Sequence, residues 1–450
     1  MLSDRNTIAA ISTAQGQGGI GIVRLSGNDA LKIAKKICSG KITPRHVGFH
    51  NFQDESQETL DQGIVLYFSS PHSFTGEDVI ELQGHGGQAV LESILSLCIK
   101  YGAKLAEPGE FTKRAYLNNK IDLTQAESVI DVINATTLQA VKSASYSLTG
   151  KFSNKINSLL EKIISLRVYV EACIDFPEEE IDFLEQGKVI EKLHNIIAEI
   201  DGILDEAKQS ELLKNGINLV LIGQPNVGKS SLLNALAGSE KAIVTKIPGT
   251  TRDLITSQIS IKGIPINVID TAGLRETENE VEQLGIKKTW EAIQTAHVAV
   301  LLVDITKGSG DYEEVILSKL PKDIKKIRIF NKIDLVTREA SVENNNNETI
   351  IYLSAKLENG IDLLKNKLIE RVSNNFHQDA EQSVILARSR HIYALNNVRE
   401  AVTKALINKE SSELLAEELT QAQQELSTIT GDFTNDDLLG KIFSSFCIGK

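Results

Sequence analysis

The stretch INLVLIGQPNVGKSSLLNAL sets Gly223, Gly228, Lys229 and Ser230 at the spacing GxxxxGK[ST], after an apolar β-branched run and ahead of a helical pattern. Glycines at these positions let backbone N–H groups approach phosphate oxygens, and a helix N-terminus adds positive dipole. Lys229 then reaches the β and γ phosphates, and the Ser230 hydroxyl is a Mg²⁺ ligand. Three further motifs follow in order. NVIDTAG puts Asp270 at a strand end beside Mg²⁺ and the γ-phosphate, followed by Thr271, Ala272 and the amide of Gly273. IRIFNKID ends a later strand with Asn331, Lys332 and Asp334, and YLSAK supplies Ser354, Ala355 and Lys356. The Asp334 carboxylate can accept from guanine N1–H and its 2-amino group. Adenine offers neither, a difference worth up to roughly 10⁴-fold. The expected ligand is GTP.

The expected nucleotide contacts are Asn226, Val227, Gly228, Lys229, Ser230 and Ser231, then Thr245, Lys246, Ile247, Pro248, Gly249, Thr250 and Thr251, together with the later motifs. TKIPGTTRD reads as a switch loop with Thr251 as a second Mg²⁺ ligand, and its carbonyls could help hold a monovalent cation. Many small GTPases place a water-orienting glutamine after DxxG. Leu274 stands there in this chain, so water must be positioned by another group.

These groups need an α/β scaffold, and residues 217–373 alternate strand and helix patterns. The flanks differ. One proline, Pro177, lies between Pro108 and Gly216, none follows residue 373, and apolar residues recur at helical spacing in both stretches. The pattern predicts an α/β P-loop domain (215–373) inserted into an all-α domain (119–214 and 374–450). An α+β N-terminal domain (1–118) precedes them, with strand-like runs TIAAIST, GIGIVRLSG, GIVLYFSS and DVIELQGHGG and a helix at QAVLESILSLCIKYG. A length of 450 residues suits about three domains. Four scattered cysteines suggest neither a disulfide framework nor a zinc site. With no signal-peptide pattern and no apolar run long enough to span a bilayer, the expectation is a cytoplasmic protein without a membrane segment. The net charge of −12 argues against coating nucleic acid by bulk electrostatics, while leaving room for a local basic patch.

The set PNVGKSSLLNAL, PGTTRD and DTAG resembles the TrmE/Era/EngA-like bacterial GTPases. Over essentially its whole length, including the tail FCIGK, the chain resembles the MnmE (TrmE) family of tRNA modification GTPases. The resemblance implies that K⁺ stands where an arginine finger would act, held by Asn226, Thr245, Ile247 and Thr250. It also implies that Glu282 positions the water. By itself the run Glu276, Glu278, Glu280, Glu282 reads as a solvated acidic stretch. Further implications are a homodimer with a tetrahydrofolate derivative, 5-formyl or 5,10-methylene, bound by Arg24, Glu81, Lys120 and Lys450. A flavoprotein partner, MnmG (GidA), would supply FAD. Together the two would install an aminomethyl or carboxymethylaminomethyl group at C5 of the wobble uridine of certain tRNAs.

Two motifs invite other readings and fail. Gly16, Gly18 and Gly21 form a literal GxGxxG, but a strand pattern follows where a dinucleotide site needs a helix. GHGG resembles an esterase oxyanion loop, yet the chain has no GxSxG. At the C-terminus Gly449 and Lys450 rule against a prenylation box around Cys447. Either Cys447 is a reactive thiol, and so a third catalytic candidate beside Lys229 and Glu282, or it is small filler in a tail pinned by Phe443, Phe446 and Ile448. The alternative functions are an Era-like ribosome-assembly switch and a stand-alone folate-dependent transferase. The first needs a basic KH module with a GxxG loop. Residues 378–450 instead hold 7 Lys/Arg against 11 Asp/Glu and no GxxG.

Overall fold

The computed structural model describes residues 6–175, 188–238, 257–270, 296–308, 324–345, 348–372, 387–431, 436–444 and 446–449, with a few single positions between 294 and 321. Two compact units are present: Met1–Ile130 with Ser147–Ile197 and Ala394–Lys450, and Asp131–Tyr146 with Ala198–Tyr393. The stretches 131–146, 198–214 and 374–393, which the sequence pattern groups with the helical domain, thus fall in the second unit.

The first unit holds a six-stranded sheet in the order β3-β4-β5-β2-β1-β6. Its strands are β1 (Ile8–Ile11), β2 (Gly18–Ser26), β3 (Gly48–Gln53), β4 (Thr59–Phe68), β5 (Val79–Gly86) and β6 (Lys104–Leu105). Period-2 alternation sends Val23, Leu25, Val65, Ile80 and Leu82 into a core with Phe52, while Arg24 and Glu81 stay on the other face. Two helices cover that core, α1 (Ala30–Ile37) and α2 (Gln88–Lys100). The glycines of the rejected motifs have a packing reason. A Cβ on Gly21 would lie 2.6 Å from the Leu91 side chain and 2.9 Å from the Gly86 Cα, and one on Gly84 would strike the Asp61 carboxylate. As expected, Gly16 is followed by strand β2, which itself contains Gly18 and Gly21, and not by a helix.

After α3 (Glu110–Leu117), α4 (Leu123–Asn134) and α5 (Leu138–Leu148), the helix α6 (Lys151–Asp175) runs against the later α11 (Ser412–Thr430). Ile156, Leu159, Ile163, Leu166 and Val170 recur at three- and four-residue spacing on α6, as Leu415, Leu419, Ala422, Leu426 and Ile429 do on α11. The helix α7 (Val189–Asn215) leads into the second unit.

That unit's seven-stranded sheet has the order β12-β13-β11-β10-β7-β9-β8. The strands β7 (Ile217–Ile222), β9 (Ile264–Asp270), β10 (Val298–Asp304), β11 (Lys325–Asn331) and β13 (Glu348–Tyr352) pair in parallel. The outer strands β8 (Ser257–Ile261) and β12 (Ser341–Asn345) are antiparallel to their neighbours. A strand buried on both faces must be apolar throughout, and every residue of β10 is buried. The first strand, β7, lies between β9 and β10, so the chain leaves it in opposite directions. The crevice at the carboxyl ends of such strands is where ligands of open α/β sheets bind. The remaining described helices are α8 (Lys229–Ala237), α9 (Ile361–Val372), α10 (Ser389–Ile407) and α12 (Asp436–Ser444).

Candidate functional site: a nucleotide crevice at the carboxyl ends of parallel strands

The loop from Gly223 to Gly228 joins the end of β7 to the start of α8. Gly223 tolerates no side chain, since a Cβ would lie 2.7 Å from the Leu302 carbonyl of the neighbouring strand. Asn226 and Gly228 take left-handed backbone, with φ of 65° and 103°. Such a turn aims successive amides inward and forms an anion-binding concavity. Lys229 curls back so that Nζ donates to the Gly223 carbonyl at 2.9 Å. Ser230 and Ser231 are exposed in the first turn of α8, where a hydroxyl can meet a phosphate-bound cation.

Asn331 ties this loop to the two guanine motifs. It is 2% exposed, its Nδ2 donates to the Val227 carbonyl at 2.8 Å, and its Oδ1 accepts the Ala355 amide at 2.9 Å. The missing side chain of Gly228 serves the same contact, because a Cβ there would run into the Asn331 amide nitrogen. Asp334 is exposed, and its Oδ1 accepts the Ser354 hydroxyl at 2.6 Å. Ser354 also accepts the Leu357 amide at 3.2 Å, so one hydroxyl fixes both the carboxylate and the following turn. Lys356 is exposed beside them.

Lys332 has a partner that the motif does not include. Its Nζ donates to the Asn226 carbonyl at 2.9 Å and pairs with Asp304 Oδ2 at 2.6 Å. Asp304 ends β10, and its other oxygen accepts both the amide and the hydroxyl of Thr306. Burial pushes the Asp304 carboxyl up, but the hydrogen bonds from Lys332 and Thr306 and the Lys332 charge outweigh it. The net pKa is about 2. The sequence signal for Asp304 was available, a lone carboxylate closing an otherwise apolar strand, but no motif pointed to it.

Among the site residues expected from sequence, the structure thus gathers Asn226, Val227, Gly228, Lys229, Ser230, Asn331, Lys332, Asp334, Ser354 and Ala355 around one crevice. Thr245 to Thr251, Thr271 to Gly273, Glu282 and Lys450 lie outside the described residues, and of Asp270 only the backbone at the end of β9 is described. For Mg²⁺ and K⁺, the described part of the donor set is therefore the Ser230 hydroxyl and Asn226. Hard oxygen donors of this kind suit both ions.

Two family models match the chain: MnmE helical domain over residues 123–447, and GTP-binding protein TrmE N-terminus over residues 7–120. The tRNA modification GTPase MnmE of Chromobacterium violaceum is 49% identical over 445 residues, covering 99% of this chain and 98% of that protein. The same enzyme of Nitrosomonas eutropha is 50% identical over 452 residues, with both chains fully covered. The chain belongs to the MnmE family of tRNA modification GTPases. That family, rather than the Era-like switch, therefore accounts for the whole chain. The solved structure of Aquifex aeolicus Era bound to GDP·AlF4⁻ is 22% identical, covering 41% of this chain and 66% of that chain at a TM-score of 0.27.

The MnmE resemblance also singles out residues of the first unit. Arg24 and Glu81 are register partners on β2 and β5, and Nε and Nη2 of Arg24 both donate to Glu81 Oε1, at 3.0 and 2.8 Å. Gln83 donates to Glu81 Oε2 at 2.9 Å, a third member that the motifs did not name. The pair is half-buried, so a planar ligand edge can reach a preset carboxylate and guanidinium, which fits a pterin and its acidic tail. Lys120 instead donates to the Pro71 carbonyl at 2.9 Å.

The tail is docked. Phe443 and Phe446 are buried with Leu123, Ala126 and Ile442. The Cys447 carbonyl accepts the Gly109 amide at 3.3 Å, and Ser12 Oγ donates to the Gly449 carbonyl at 2.9 Å. Ile448 is 51% exposed and Cys447 is exposed, so the reading of Cys447 as core filler is corrected: Phe443 and Phe446 are buried with their neighbours while Ile448 and the thiol stay outside.

Proposed function

We propose that this protein is a K⁺-stimulated GTP hydrolase. With a flavoprotein partner of the MnmG kind, it modifies C5 of the wobble uridine in certain tRNAs, adding an aminomethyl or carboxymethylaminomethyl group. The observation that carries the nucleotide half is Asn331, whose single side chain joins the phosphate loop to the Ser354–Ala355 turn beside Asp334. The full-length likeness to MnmE enzymes supports the tRNA half.

In this reading the loop amides, the N-terminus of α8 and Lys229 hold the triphosphate and offset charge that grows as the γ-phosphoryl group leaves. Asp334, set by Ser354, accepts from the guanine edge. Mg²⁺ held by Ser230 and Thr251 would supply further charge neutralisation, and K⁺ held by Asn226, Thr245, Ile247 and Thr250 would take the place of an arginine finger. Glu282 orients water. A folate one-carbon unit would be bound by Arg24, Glu81, Lys120 and Lys450 at the interface of a homodimer, with FAD brought by the partner. Hydrolysis drives a conformational step and forms no bond to the uridine. The protein acts in the cytoplasm; among the described residues no helix is long and apolar enough to cross a membrane.

The test is GTP hydrolysis by the purified chain in KCl and in NaCl. The reading expects a rate at least about tenfold higher in K⁺, in line with loss of one transition-state charge. It also expects loss of that stimulation in Asn226→Ala. Equal rates in both salts would remove the K⁺ role.

A further inference from the structure

Several cations elsewhere in the first unit sit against carboxylates. Arg24 pairs with Glu81, Arg114 with Glu77 and Glu110, and Lys100 with Glu55. Residues 30–53 behave differently. They contain Lys32, Lys35, Lys36, Lys41 and Arg45 and no Asp or Glu, a local charge of +5 in a chain of net charge −12. All five are exposed. Among the described residues the one carboxylate near any of them is Asp29, 3.9 Å from Lys32 with both side chains largely in solvent, a pair of little energetic weight.

The scaffold beneath is fixed. Ala30, Ile33, Ala34 and Ile37 of α1 are buried, which sets Lys32, Lys35 and Lys36, spaced i, i+3, i+4, along the opposite face. Lys36 Nζ lies 4.9 Å from the centre of the Tyr101 ring, an attraction that orients it without removing its charge. Arg45 takes left-handed backbone (φ 59°), its amide bonds the Tyr67 carbonyl at 2.9 Å, and its Nη2 bonds the neutral His72 carbonyl at 2.9 Å. The dipole of α1 favours Lys35 and Lys36 in its last turn, but gives no reason for Lys32, Lys41 and Arg45 to lie without a close carboxylate.

We infer that this strip, the outer face of α1 and the turn through Arg45, is a docking surface for the phosphate backbone of RNA. The inference deepens the proposed tRNA reading and rests on it. Charge complementarity selects the occupant: exposed cations with no close carboxylate gain by releasing counterions from a polyanion, whereas an acidic protein overall gains nothing from non-specific coating. Such contacts position an RNA and carry no sequence information.

The test is binding of fluorescein-labelled tRNA to the full chain, read by anisotropy over a salt series. The unaltered chain is compared with the triple variant Lys32→Gln/Lys35→Gln/Lys36→Gln and with a control of equal net charge, Lys188→Gln/Lys192→Gln/Lys262→Gln. The strip variant should bind roughly tenfold or more weakly at about 0.1 M salt, with the slope of log K against log salt reduced by about 2–3, since each phosphate contact contributes ~0.7–0.9. Its GTP hydrolysis and circular dichroism should be unchanged, and the control should bind as the unaltered chain does. Equal slopes for strip variant and unaltered chain, an equal loss in the control, or no tRNA binding by the unaltered chain would overturn the surface. So would a strip variant that loses phosphatidylglycerol vesicles yet keeps tRNA, which would assign the strip to a membrane. Modified uridines that persist without the gene would instead sink the tRNA function, whatever the strip binds.

Discussion

Asp304 shows what a single residue adds beyond a motif. It closes β10, clamps Lys332 against the Asn226 carbonyl, and is itself held by Thr306. Replacing it by asparagine leaves shape and removes the charge. Asp304→Asn should release fluorescent GDP about tenfold faster, the size of one charge-assisted hydrogen bond. Release unchanged in stopped-flow measurements would show that Lys332 needs no anchor. The same carboxylate makes a pH prediction. Its folded pKa of about 2 lies below the ordinary 3.8, so the stability it contributes is complete above about pH 4 and is lost as pH falls toward 2. The difference in urea midpoint between the unaltered chain and Asp304→Asn, measured from pH 6 to 3, should therefore be constant at the neutral end and narrow toward the acid end. Asp334, by contrast, could be read from sequence. Asp334→Asn should weaken GTP by roughly 10⁴-fold by leaving guanine donors unmatched, which calorimetry with GTP checks. The difference is physical: Asp334 meets the ligand and so belongs to a motif, while Asp304 and Gln83 act through a neighbour, and spacing along the chain carries no record of that.

At the scale of elements, the legible parts were those where periodicity and turn chemistry agreed. The runs around β1, β2, β4 and β5, and the helix α2, all stood out from alternating or helical apolar spacing. The strand β3 did not, because GFHNFQ alternates a buried His50 with Phe52 and its polar residues mask the pattern. The helix α1 was also missed, with four buried residues among four polar or half-buried ones over only eight positions. Exposure of Cys447 was equally out of reach, since Phe446 and Ile448 look alike in sequence but only Phe446 finds a pocket. Glycines at the junctions of elements carry the clearest prediction. Gly109 has φ 67°, and a Cβ there would lie 2.7 Å from the Phe443 carbonyl. Gly109→Ala should cost about 1–3 kcal/mol and undock the tail, seen as a lower thermal midpoint and faster trypsin cleavage near the C-terminus. An unchanged midpoint would mean that the tail is not held as described.

For the whole molecule, the two units carry different chemistry: a nucleotide crevice in one, and in the other the Arg24–Glu81 pair, the docked tail and the basic strip. The central claim is that they serve one reaction on tRNA. The most direct measurement is nucleoside mass spectrometry on total tRNA from cells with the gene, without it, and with Lys229→Ala in its place. The account predicts that 5-aminomethyl and 5-carboxymethylaminomethyl uridines disappear in the second and third strains and return when the unaltered gene is restored. Unchanged levels of those nucleosides in the strain without the gene would contradict it.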